Sequence, residues 1–232
     1  MVTSRDKPYN TPAYPLTDAA RYLHIPVATL RSWLQGRSYP TKHGQKNFAP
    51  LLQRPDPESS QLSFTNLIEA HVLRIIREQH QIRLDKVRAA LDYVSQAFDT
   101  DHPLATERFK TDGVDLFIEQ VDKLVIVSRL GQLGMKQVFH QLLTRIEWDP
   151  DGLANRFFPT SVIPDPATDK LIYIDPAIRF GRPILARTGI PTYIIADLYN
   201  AGDSLETIAQ EYDCTEPEIL TAIQFESQNR AA

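Results

Sequence analysis

Cysteine is nearly absent: Cys214 is the only one in 232 residues. A lone thiol excludes an intramolecular disulfide and a cysteine-built zinc cage. No apolar run approaches the roughly 18 residues of a membrane helix. The opening stretch, MVTSRDKPYNTPAYP, lacks the apolar segment of a secretory signal. These absences point to a cytoplasmic chain with no membrane partner. The motifs of common enzyme chemistry are missing as well: no P-loop, no Gly-rich dinucleotide fingerprint, no GxSxG, no Cys/His nucleophile signature. His71 and His80 share a helical stretch without an HExxH pattern, and His102 and His140 have no visible partners. Each reads as a core or surface histidine. Asp149-Pro150-Asp151-Gly152 opens like a calcium loop, but Ala154, Arg156 and Phe157 stand where ligands belong, so it reads as a turn. The expectation is a non-enzyme with no cofactor and no metal.

What is present is an ordinary globular composition, 42% hydrophobic and 23% charged, enough for one large domain or two to three small ones. Charge is spread unevenly. Residues 1–54 hold eight Lys/Arg (Arg5, Lys7, Arg21, Arg31, Arg37, Lys42, Lys46, Arg54) against Asp6 and Asp18, a net +6 in a chain of net −4. A polyanion is drawn to that end and repelled by the rest.

Within the basic segment, residues 14–33 read as a helix-turn-helix. Leu16, Ala19, Ala20 and Leu23 share one helical face, and Thr17 is placed to cap it. His24-Ile25-Pro26 breaks the pattern. A second helix turns Val27, Leu30, Trp33 and Leu34 inward and Ala28, Thr29, Arg31, Ser32 and Gln35 outward, with Gly36 at its C-terminus. Short, polar and basic outward residues suit a helix entering the major groove. A helical hairpin of some other all-α domain is the alternative; the local charge favours DNA.

Tyr14, Ala19, Ala20, Leu23, Ile25, Thr29, Leu30, Arg31 and Trp33 together resemble the opening of the MerR-type winged helix. The likeness runs over about residues 14–78 and takes in a wing at 37–47, with Lys42, His43, Gly44 and Lys46, and a helix starting near Thr65. It departs at His24, where a turn glycine is usual, and at Ser32, which replaces an aromatic. The resemblance implies operator contacts from Thr17, Arg21, Ala28, Thr29, Arg31, Ser32, Arg37, Lys42, His43 and Lys46. It ends before any effector-sensing segment.

The middle of the chain reads as a small α+β piece. Residues 67–98 are helical in pattern. Arg74, Arg83, Lys86 and Arg88 alternate with Glu78, Asp85 and Asp92, as on a solvated face. RFK-TDG-VDLFIE suggests a hairpin turning at Asp112-Gly113, LVIVS a further strand, and 136–148 a helix.

From Leu171 three short helices follow: about 192–201 closing at Gly202, a second capped by Ser204, and a third whose Thr215 and Glu218 form a capping box. Ile219, Leu220, Ile223 and Phe225 are placed in its core. The arrangement is homeodomain-like, but residues 165–232 carry five Lys/Arg against eleven Asp/Glu, a net −6, so phosphate is disfavoured and a protein partner is preferred. Ile174, Asp175, Pro176, Gly181, Arg182, Pro183, Ile184, Arg187, Thr188, Gly189, Ile190 and Pro191 resemble a domain of unknown function found in VapB-type antitoxins encoded beside PIN-like toxins. Phe180 departs from it, where many short relatives have a second glycine, as does the order Ala186-Arg187-Thr188-Gly189. The resemblance implies a metal-dependent ribonuclease as partner, met by Arg179, Phe180, Arg182, Arg187, Thr188 and the tail residue Arg230. Local pairing of Arg179, Arg182 and Arg187 with Asp165, Asp169 and Asp175 is the alternative.

The combined expectation is a mainly α protein with a small β component. It comprises a MerR-like winged helix at 1–78, an α+β linker or dimerisation region at 79–164, and a homeodomain-like three-helix module at 165–232. Its expected role is an antitoxin that binds operator DNA and a PIN-like toxin as a homodimer. The alternatives are a stand-alone regulator without a toxin and a small enzyme built on the middle region.

Overall fold

The computed structural model describes residues 8–41, 44–80, 82–124, 129–159 and 170–227. It is mainly helical with small two-stranded sheets, and the chain divides into two compact units, Met1–Ala154 and Asn155–Ala232.

The first unit opens with α1 (Leu16–Tyr22) and α2 (Val27–Gln35), followed by the antiparallel pair β1 (Arg37–Thr41) and β2 (Gly44–Phe48). Helix α1 starts after Pro15 without a side-chain cap, so Thr17 lies inside its first turn and not at the cap position. His24 adopts φ +52 between the helices, taking the left-handed conformation usually left to glycine. Two backbone links close this module from later in the chain. Tyr14 and Leu62 exchange bonds of 3.0 and 2.8 Å, and the Trp33 carbonyl accepts from the amides of Leu51 (2.7 Å) and Leu52 (3.1 Å). Ala19, Ala20, Leu23, Leu30, Trp33 and Leu34 are buried.

Two further helices are α3 (Phe64–His80) and α4 (Leu84–Phe98). Ser63 and Asn66 cap α3 reciprocally: the Asn66 amide donates to Ser63 Oγ (3.1 Å) and the Ser63 amide to Asn66 Oδ1 (3.3 Å). The hairpin expected at Asp112-Gly113 is helix instead. A wide turn at Phe109–Gly113 runs straight into α5 (Val114–Leu124). Phe109, Phe117 and Phe139 decide this, burying against one another edge-to-face with centroids 5.8 to 6.5 Å apart. Gly113 serves packing: a Cβ there would lie 2.6 Å from the Phe109 ring and 2.9 Å from the Phe98 ring. The segment from Phe109 to Leu124 is therefore helical; of the strand expected at LVIVS, Leu124 closes α5 and 125–128 lie outside the described residues. The helix expected to reach Trp148 is α6 (Arg129–Leu143), which stops earlier and yields to β3 (Ile146–Trp148). Asp149 then turns the chain as expected, its Oδ1 accepting from the amides of Asp151 and Leu153, both at 2.9 Å, before β4 (Ala154–Phe157).

In the second unit β5 (Ile172–Tyr173) pairs antiparallel with β6 (Ile184–Leu185), and Phe157 bridges to Ile174. Helices α7 (Thr192–Ala201), α8 (Leu205–Tyr212) and α9 (Glu216–Ser227) follow. Gly202 ends α7 in the left-handed region, and Ser204 caps α8 by accepting from the Thr207 amide at 3.1 Å. The Glu218 carboxylate takes both the amide (2.7 Å) and the hydroxyl (2.9 Å) of Thr215. Ile219 and Phe225 are buried as expected, but Leu220 is exposed, one position round the helix from its neighbours.

Candidate functional site

On α2, Ala28, Arg31 and Gln35 are exposed and Thr29 and Ser32 half-buried, opposite buried Leu30, Trp33 and Leu34. Arg31 makes no hydrogen bond or ion pair among the described residues. Ser32 is turned back onto its own helix, its Oγ donating to the Thr29 carbonyl at 2.7 Å. Thr17 is exposed on α1. Arg21 is half-buried, its guanidinium 4.9 Å from the Tyr22 ring centroid and bonded to the Tyr22 hydroxyl at 3.3 Å. Arg37 is exposed at the start of the hairpin, where Ser38 Oγ donates to Asn47 Oδ1 at 2.6 Å. Lys46 stands on β2 opposite Tyr39; Lys42 and His43 lie outside the described residues. The hairpin thus continues from α2 through Gly36, whose φ of +72 and ψ of −174 belong to a region only glycine adopts comfortably.

Several arginines expected on a solvated surface instead hold this module. Arg74 Nη1 donates to the Leu23 carbonyl at 2.5 Å, at the end of α1, and Arg88 donates to the Ala49 carbonyl after β2. Arg83 pairs with Asp85 as a solvated face requires. Arg54 donates to the Ser59 carbonyl at 3.1 Å.

Behind α3 lies a polar chain with no local sequence signature. Asn66 Nδ2 donates to Glu69 Oε2 at 3.2 Å and to the Gln53 carbonyl at 2.8 Å; Glu69 Oε2 meets His102 Nδ1 at 3.1 Å. Burial works against a charged His102, but the Glu69 carboxylate overcomes it and raises the pKa. His71 is the reverse case: burial, then the charges of Arg74 and Arg145, push it down to about 3. Among the described residues no cluster of three or more His, Cys, Asp or Glu is arranged to hold a metal.

In the second unit Arg187 makes a fork. Nε and Nη2 reach the two oxygens of Glu218 at 3.0 and 2.9 Å, Nη1 reaches Asp213 Oδ2 at 3.1 Å, and Nη2 also donates to the Asp213 carbonyl. Glu218 is 4% exposed, and the Arg187 guanidinium holds its carboxyl below the usual range. Neither partner is one of the aspartates expected for local pairing: Asp165 and Asp169 lie outside the described residues, and Asp175 faces Arg156 at 3.6 Å. Arg187 therefore ties the loop before α7 to α9. Arg187→Ala is expected to lower the thermal midpoint of the second unit, followed by far-ultraviolet circular dichroism; an unchanged midpoint would deny the clamp. Thr188 is half-buried beside Cys214, at 3.9 Å. Arg179 and Phe180 are exposed, Arg182 lies over the Tyr193 ring at 4.9 Å, and Arg230 is outside the described residues.

Two helices around a tight turn, with a basic hairpin beside the second, define a helix-turn-helix unit of winged type. Consistent with this, residues 12–91 match the family described as "Putative DNA-binding HTH domain", and residues 172–225 the family "Protein of unknown function (DUF433)". The chain is similar along its length to "Putative antitoxin VapB45" of Mycobacterium tuberculosis, with 28% identity over 93% of this chain and 94% of that one. It is also similar to "Uncharacterized protein Rv2308" of the same organism, with 23% identity over 94% and 92%. The crystal structure of Rv2018 from M. tuberculosis shares the fold, with a TM-score of 0.68 and 24% identity over 92% of this chain and 98% of that one.

Proposed function

We propose that this protein is a DNA-binding antitoxin. The first unit contacts operator DNA through α2 and the β1–β2 hairpin, and the second neutralises a protein toxin, a PIN-like ribonuclease. The observation that carries the DNA half is the outward face of α2: Arg31, Ala28 and Gln35 exposed on a helix buried along its other side, inside a segment of net +6. Arg31 and Lys46 are the main contacts on this reading, with Thr17, Thr29, Arg37, Lys42 and His43 as further ones. Arg21 and Ser32 are held by Tyr22 and by the Thr29 carbonyl and contribute shape. Two copies would place two α2 helices one turn of duplex apart. The toxin half is supported by the similarity to an antitoxin and by the acidic second unit, which suits a basic RNA-binding enzyme.

The test uses a duplex selected from random DNA by the wild-type protein. Replacing Arg31 and Lys46 together with alanine is expected to weaken binding at least tenfold at about 150 mM salt. The slope of log affinity against log salt should become shallower by about 0.9 for each phosphate that is no longer neutralised. Undiminished binding by a folded double variant would refute the assignment.

A further inference from the structure

The loop joining β5 to β6 makes a turn that L-residues avoid. Arg179, Phe180 and Gly181 have φ of +49, +57 and +72, a left-handed turn in which only the last residue is glycine. It is closed by the Gly181 amide on the Ile178 carbonyl (2.9 Å) and the Arg182 amide on the Arg179 carbonyl (3.2 Å). Asp175 braces its base, its Oδ1 accepting from the Ala177 amide (2.9 Å) and its carbonyl from the Ile178 amide (3.0 Å). A Cβ makes this conformation unfavourable, and such strain persists where the surroundings enforce it and gathers at binding sites. The side chain lifted by the turn is a phenylalanine, 95% exposed. Glycine at 180 would remove the strain at that position and the exposed ring, so folding alone gives no reason for Phe.

Its surroundings indicate what it meets. Of the exposed large hydrophobic residues among those described, Ile178, Phe180, Tyr193, Tyr199 and Leu220 lie in the second unit, against Tyr93 and Leu133 in the first, which is about twice as long. Arg179 flanks the ring on an exposed position, and Arg182, stacked over Tyr193, follows on its other side. These arginines form a basic rim on a module of net −6. A nucleic acid would meet repulsion from that module, and a second copy would bring two such acidic modules together.

We infer that Phe180 is the anchor by which the second unit seats in its toxin, its ring entering an apolar pocket whose rim carries carboxylates for Arg179 and Arg182. This rests on the antitoxin reading above. Aromatic anchors in desolvated pockets, flanked by arginine, dominate interfaces of this kind.

The test uses the full-length chain and the purified product of the gene adjacent to its own. Absence of binding by the wild type sinks the antitoxin reading and this inference with it. Given wild-type binding, Phe180→Gly is expected to weaken the complex at least about 30-fold, with the melting midpoint unchanged or raised because glycine relaxes the turn. Arg179→Glu with Arg182→Glu is expected to weaken it most at low salt. Binding by Phe180→Gly within threefold of wild type overturns the anchor alone and leaves the antitoxin reading standing. Loss of self-association or of DNA binding in Phe180→Gly, read by sedimentation and gel shift, would reassign the ring to a second copy or to nucleic acid.

Discussion

Gly36→Ala is expected to cost the first unit about 3 kcal/mol or more and to abolish DNA binding. Two independent penalties coincide there. The backbone sits at φ +72 and ψ −174, outside even the left-handed helical region that asparagine tolerates. A Cβ would also lie 2.3 Å from the Phe48 carbonyl oxygen, an atom of β2 itself. Relief requires moving β2 away from α2, which separates the hairpin from the helix it accompanies. Asparagine at 36 is expected to do no better than alanine. Gly202→Asn supplies the contrast: its φ is +108, ψ is 6, and nothing lies within 4 Å of a built Cβ, so a loss near 1 kcal/mol is expected. Both tryptophans, Trp33 and Trp148, belong to the first unit. Urea titration followed by tryptophan fluorescence therefore reads that unit alone. A Gly36→Ala midpoint equal to wild type would show that β2 yields without cost.

Acid is expected to unfold the first unit well before its carboxylates account for it. His71 is 1% exposed in α3 and stays neutral when folded down to about pH 3. The unfolded chain takes up that proton near 6.5. Between those values the unfolded state binds more protons, so stability falls as pH falls, by about 1.4 kcal/mol per unit. From pH 7 to 4.5 the loss is on the order of 3 kcal/mol, a large part of a typical domain's stability. His102 acts in the opposite sense. Its pKa is raised by Glu69, so its contribution is complete below 6.5 and fades as pH rises through the raised value. The two histidines together place the stability maximum of this unit near pH 6.5. His71→Met, of similar volume, is expected to flatten the acid limb while leaving the alkaline one. An acid limb equally steep in that variant would assign the lability to other groups.

What was legible in the sequence was local. The α1–turn–α2 pattern, Gly36 at the end of α2, Ser204 at the start of α8 and the Thr215–Glu218 cap each depend on residues within one helical turn. The readings that failed set a local signal against a distant one. Asp112-Gly113 spells a hairpin, but Phe109, Phe117 and Phe139 bury together only if the segment is helix. Arg187 reads as a loop cation free for a partner, yet Glu218 lies 31 residues on and takes both its prongs. Arg74 and Arg88 look like a solvated face until their acceptors are found 51 and 39 residues earlier. The link from Glu69 to His102 spans 33 residues and leaves no motif. Phe180 was visible as a departure from glycine, but its strain needs a backbone angle to be seen.

The closure of the helix-turn-helix by Leu51, Leu52 and Leu62 has a consequence during synthesis. When Gly36 leaves the ribosome, Leu51, Leu52 and Leu62 are not yet made, so the backbone links that close the helix pair at Trp33 and Tyr14 cannot form. At roughly 5–20 residues per second the nascent chain spends on the order of seconds without those links. The helix-turn-helix therefore closes late on the ribosome, and a chain ended before Leu51 would carry the basic helix pair without either closing link.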